Sequence, residues 1–163
     1  MGRKTVTNHF SFVYAGKPES YNANSRKKEL YKKRLSSAYE RRFSGMLVGK
    51  ELYANIYYFY REDVGLDADN ISKPAWDALN AVGYTDDKMI KIRTAVAVNL
   101  CEHDILDFDQ DNMPTDVLVD FVQSIADNNH TLYIEVGEID GYDNILIFRY
   151  YGNKKALQNK GCH

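Results

Sequence analysis

The residues able to do chemistry are concentrated in Asp67–Asp87, which reads DADNISKPAWDALNAVGYTDD. Five of its 21 residues are Asp, yet it also holds Trp76, Leu79 and Val82, so it is a folded segment and not a solvated acidic tail. Asp67 and Asp69 are separated by one residue. In an extended backbone, residues i and i+2 point to the same side with Cα atoms roughly 6.5–7 Å apart, so both carboxylates can reach one ion. Asp86 and Asp87 supply a further acidic point. Mg²⁺ takes oxygen ligands, usually one or two carboxylates, and leaves the remaining positions to water and phosphate; Mn²⁺ accepts the same donors. An ion held there activates water and stabilises the leaving oxygen in phosphodiester hydrolysis. Lys73 would neutralise charge on the scissile phosphate. The plainer reading has Asp69 and Asn70 capping a helix while Lys73 pairs with Asp77 at i, i+4.

These side chains need a helix and two strands to position them. Asn70 is a good N-cap, and Ile71, Ala75, Leu79 and Val82 fall on one helical face. Pro74 lies about a turn inside that start, where a missing N–H costs least, and Gly83 supplies the stop. The N-terminal N–H groups of such a helix favour a phosphate nearby. Upstream, Glu51–Arg61 alternates Leu52, Ala54, Ile56, Tyr58 and Tyr60 with Tyr53, Asn55, Tyr57 and Phe59. With both sides apolar or aromatic, it reads as a central strand running into the first carboxylates. Downstream, Met89–Leu100 sets Ile90, Ile92, Thr94, Val96, Val98 and Leu100 against Lys91, Arg93, Ala95 and Asn99. That is a half-buried strand whose basic residues start near the acidic end.

The combination resembles the RusA-like Holliday junction resolvases. The match runs through Asp67, Asp69, Asn70, Lys73, Pro74, Asp77, Ala78, Leu79, Gly83, Asp86 and Asp87. It covers about residues 5–100 and resumes at Leu132–Ile139, leaving an acidic loop and helix over about 102–130 and a final strand as additions. The resemblance implies that Asp67, Asp69 and Asp87 are metal-binding catalytic carboxylates, with Asp86 a weaker metal ligand and Lys73 the essential basic residue. It also implies a Mg²⁺-dependent homodimer that places paired nicks in opposed strands of a four-way DNA junction. Two rivals stand beside it: a less selective branched-DNA nuclease, and a catalytically inactive DNA-binding or interaction module.

The rest of the chain is consistent with one soluble domain over residues 1–151. Val6–Tyr14 alternates and reads as a first strand. Arg26–Phe43 reads as the longest helix, with Tyr31, Leu35, Tyr39 and Phe43 at every fourth position. Lys27, Lys28, Lys32, Lys33 and Arg34 lie on its other faces and, with Lys91 and Arg93, are the expected DNA-contacting residues. Residues 1–50 carry 12 Lys or Arg against 3 Glu, whereas residues 101–151 carry 12 acidic residues against Arg149 alone. The net charge of −2 therefore hides two oppositely charged halves. Asp107, Asp109 and Asp111 imitate the opening of an EF-hand loop. Asn112 stands where the turn glycine belongs and Leu118 where the bidentate Glu belongs, so no calcium site is expected. Pro114 and Thr115 introduce a helix with Val117, Leu118, Phe121, Val122 and Ile125 on its apolar face. Thr131–Glu138 and Asn144–Tyr151 read as two strands joined by an Asp140-Gly141 turn.

The expected fold is α+β, a mixed sheet of about five strands with helices packed against it. Residues 152–163 read as a mobile tail. Cys101 and Cys162 have neither metal spacing nor a disulfide framework. With no secretory signal and no apolar run near 20 residues, the cytoplasm is the expected location and no membrane partner is expected.

Overall fold

The computed structural model describes residues 2–108, 113–141 and 148–152. In chain order its elements are β1 (Lys4–Thr5), β2 (His9–Ala15), α1 (Ser25–Arg42), β3 (Phe43–Ser44), β4 (Leu52–Tyr60), α2 (Ala68–Leu79), a 3₁₀ turn at Asp87–Met89, β5 (Ile90–Asn99), β6 (His103–Phe108), α3 (Thr115–Asp127), β7 (His130–Glu138), a 3₁₀ turn at Ile139–Gly141 and β8 (Phe148–Gly152). The fold is α+β, with three α-helices and a mixed main sheet among the described residues.

That sheet has four strands in the order β2-β7-β4-β5, with β4 and β5 parallel and the other pairs antiparallel. Four of the expected five strands are therefore neighbours. The fifth is not: β8 pairs with β6, a strand formed where the sequence was read as acidic loop, and the two make a separate ribbon. The reason is topological. β7 already has β2 on one side and β4 on the other, so no edge is left for its successor. A third pairing joins β1 to β3 in parallel.

The period-two pattern of β4 sorts two cores to the two sides of the sheet. Leu52, Ala54, Ile56 and Tyr58 join Phe10, Phe12, Leu132, Ile134 and Val136 beneath α1 and α2, which contribute Tyr31, Leu35, Tyr39, Ile71, Ala75, Trp76 and Leu79. Tyr57 and Phe59 face the other way, with Val13, Val98 and Tyr133, under Val117 and Phe121 of α3. Phe121 meets Phe59 edge-on, ring centroids 5.2 Å apart. β4 is buried along all but its last residue, as a strand with two apolar faces must be.

Two local readings are corrected. In β5 the register slips opposite Leu52/Tyr53, so Ile90 faces the α1–α2 core and parts company with Ile92 and Val98. Arg93, opposite Ala54, then shares the α2 side with Ala95 and Ala97. Cys101 is disulfide-bonded, where no disulfide framework was expected. Cys162, the Asp109–Asn112 stretch and the tail beyond Gly152 lie outside the described residues.

Candidate active site between helix α2 and strand β5

Helix α2 is the crossover between two parallel strands, so it runs back along the sheet, its N-terminus toward the end of β4 and its C-terminal half toward the segment that enters β5. The helix starts earlier than the sequence implied. Asp67, not Asn70, is the N-cap: its backbone is extended and its carboxylate accepts the Asn70 N–H at 2.9 Å. A charged cap is favourable at this end of the helix dipole. Asp69 thereby falls in the first helical turn. On a helix, residues i and i+2 do not face each other, so the shared-side geometry expected of an extended Asp67-x-Asp69 is not formed.

Starting at Ala68 also moves Pro74 deeper into the helix. A proline there cannot donate to the carbonyl four residues back, which is that of Asn70. That carbonyl is taken instead by the backbone N–H of Tyr21 at 3.0 Å. The loop before α1 is thus pinned to the first turns of α2 by a hydrogen bond that the proline makes available. At the other end Asn80, not Gly83, is the C-cap, and Ala81 carries the left-handed backbone with φ of 61°. Gly83 serves a different need: a Cβ there would lie 2.9 Å from Phe10 Cζ.

Lys73 is the centre of the site. Its ammonium donates to Asp77 Oδ1 at 2.6 Å and to Asp87 Oδ2 at 3.2 Å. Arg93 closes on the same Asp87, 3.7 Å from Oδ2, and donates to its backbone carbonyl at 3.2 Å. The hydrogen bond to Asp77 raises the Lys73 pKa above its usual value; partial burial opposes this and Asp87 adds to it. For Asp87, burial pushes the pKa up, but the Lys73 hydrogen bond and the charges of Lys73 and Arg93 outweigh it and hold it below the usual carboxylate value. Lys73 is therefore an ammonium and Asp87 a carboxylate throughout the neutral range. The first can stabilise developing negative charge on phosphate oxygens but cannot act as a general base near neutrality.

The other expected site residues are placed less centrally. Asp86 caps the 3₁₀ turn, its Oδ1 accepting the Lys88 N–H at 2.9 Å. Asp69 is exposed, and its carboxylate has no partner among the described residues. Lys91 is exposed on β5. Lys27, Lys32, Lys33 and Arg34 project from α1 and Lys28 is half-buried; among the described residues these five make no ion pair. Asp77, expected as a helix partner for Lys73 and as a position of the family match, makes the closest contact in the cluster.

A divalent ion does not fit these side chains as they are placed. Among the described residues no three Asp, Glu, His or Cys side chains are grouped to hold one. Asp67 is engaged in its cap, Asp86 in the turn, and Asp87 with two cations.

One buried carboxylate was not anticipated at all. Glu135, only 7% exposed, accepts from the hydroxyls of Tyr53 at 2.6 Å and Tyr133 at 2.8 Å on the face opposite α2. Tyr53 lies flat over Gly137, where a Cβ would come within 2.7 Å of its ring. An alternating aromatic strand carries no signal that one of its tyrosines serves a buried acid.

No helix is long and apolar enough to cross a membrane among the described residues. No family model matches the chain, and comparison with curated proteins finds no match.

Proposed function

We propose that the chain is a structure-selective DNA endonuclease of the RusA-like kind, resolving four-way junctions as a homodimer. The observation that carries this reading is the 3.2 Å contact between Lys73 and Asp87. Two residues picked for chemistry, 14 positions apart in the sequence, meet at the end of a βαβ unit. Lys73 faces the phosphate, with Arg93 as a second cation beside it. Asp69, free of protein partners among the described residues, is the carboxylate able to accept a proton from an attacking water. In the reaction water oxygen bonds to phosphorus, the bond to the departing strand oxygen breaks, and that oxygen leaves with a proton. The exposed lysines of α1 add affinity for DNA arms without reading their sequence. A two-fold dimer supplies the two sites that symmetric cleavage requires. The magnesium requirement comes from the resemblance and the cytoplasmic setting from composition, the Cys101 disulfide counting against the latter, and no step above is routed through an ion.

The dispersed carboxylates favour a second reading, a DNA-binding module that does not cut. Incubating the protein with labelled four-way junction, flap and linear duplex, with Mg²⁺ or with chelator, separates the readings. Junction-selective cutting that is lost in Asp69→Asn supports the nuclease, and its loss in chelator would show that an ion is used which these side chains, as placed, do not group around. Equal cutting of flap and junction supports the less selective enzyme, and tight junction binding without cutting supports the inactive module.

A further inference from the structure

Between α1 and α2 lies a groove of about 350 Å³, lined by Tyr21, Lys28, Lys32, Pro74, Asp77 and Asn80 together with Glu29. Its volume suits a small ligand such as a single nucleotide. Three independent features bear on what would enter it. Tyr21 is 52% exposed although its backbone is anchored to Asn70 at 3.0 Å, so its ring is presented to solvent from a fixed point. The Lys28 ammonium sits 5.6 Å from the centre of that ring and 3.4 Å from the Tyr21 carbonyl. Asp77, on the groove wall, is the same carboxylate that Lys73 holds at 2.6 Å, so the groove opens beside the candidate active site.

An aromatic ring on an anchored backbone, with one lysine over a face of the ring and a second on the groove wall, suits an unpaired nucleotide. The base stacks on the ring face, and the phosphates lie on the cations. A base in a continuous duplex has no free face, whereas a base displaced at a branch has one. We propose that the α1–α2 groove holds one unpaired nucleotide of the DNA, its base stacked on Tyr21 and its phosphates on Lys28 and Lys32. Asp77 and Asn80 then line the wall that meets the base edge. The inference deepens the nuclease reading and rests on it for the identity of the ligand. It gives the site a means of preferring branched over continuous DNA.

The test uses the full chain and a short oligothymidine carrying 5-iodouracil, with a linear duplex of the same length as control. Irradiation should attach the iodinated base to Tyr21, located by mass spectrometry of the digested adduct. Tyr21→Ala should weaken single-strand binding about 5- to 150-fold, the range for removal of one base–aromatic stack. Tyr21→Leu, which keeps apolar bulk without a ring face, should do the same, and Tyr21→Phe should bind as the parent does. Duplex affinity should change little in all three. Single-strand affinity of Tyr21→Leu within twofold of the parent overturns the proposal. So does an adduct found only at other residues, or an oligothymidine that the parent protein does not bind. Because the readout is binding, tight single-strand capture without junction cleavage would sink the nuclease reading and leave this site standing.

Discussion

Lys73 is held between two carboxylates, and this decides what it can do. Its folded pKa is raised by Asp77 and Asp87, so its contribution to stability is full below the ordinary value of 10.5 and is lost only as pH rises through the higher folded value. Asp87 is the mirror case: its pKa is depressed, so its contribution is present above 3.8 and is lost as pH falls below that. A pH–rate profile should accordingly show no neutral ionisation from this pair. Lys73→Ala should lower the single-turnover rate on a saturated junction about 100-fold or more, the scale of losing one charge-stabilising donor. Its side chain is 41% exposed and Asp87 keeps Arg93, so stability should fall by no more than about 1 kcal/mol. A normal rate with a lowered melting temperature would reduce Lys73 to a structural ion pair. Histidines set the acid limit instead. Burial lowers the pKa of His9 against the pull of Glu135, and burial lowers that of His130 against Glu62. Both take up protons less readily in the fold than when unfolded, where the ordinary value is 6.5, so stability should fall as pH drops below 6.5. Melting curves across that range check this, and His130→Gln should flatten the dependence.

At the scale of elements, the periodicity of α1, β2, β4 and β7 was legible because each buries a regular face. Their ends were less so. The start of α2 was misplaced because Asp67, Asp69 and Asn70 are all competent caps, and only packing decides among them. The stop was assigned to Gly83 on residue type, although Ala81 takes the left-handed position. Ala81→Gly should therefore stabilise the protein by up to about 1 kcal/mol, since an L-residue with a side chain is strained in that conformation and glycine is not. An unchanged or lowered melting temperature would contradict this. α1 shows how charge was half legible. The acidic half of the chain does meet the basic half, but through Arg42 with Asp120 at 3.1 Å and Lys4 with Asp116 at 2.7 Å. Lys27, Lys28, Lys32 and Lys33 are left to solvent or to the groove. Neutralising those four together should weaken binding to every DNA form. The log K against log salt slope on duplex should flatten by about 0.9 for each phosphate that no longer meets a lysine. An unchanged slope accompanied by an altered sedimentation profile would assign the helix to subunit contact.

For the whole molecule, the fold class followed from the alternation of strand and helix signals, whereas strand order did not. Periodicity reports which face is buried and is silent on which neighbour a strand takes. So β8 was read as a hairpin partner of β7 and instead pairs with β6. The same limit applies to the site. Spacing set Asp67 and Asp69 at the start of a helix, Lys73 in its first turn and Asp86 and Asp87 beyond its stop, but only side-chain geometry gives Asp87 to Lys73 and Arg93 and leaves the carboxylates dispersed among the described residues. The proposed nuclease would cut DNA at branches, twice, from a two-fold dimer. It is tested most directly by mapping the products of a four-way junction labelled on each strand in turn, in Mg²⁺. Symmetric nicks should appear in two opposed strands near the crossover and be absent with Lys73→Ala. No nicks, or nicks equally frequent along a linear duplex of the same sequence, would contradict it.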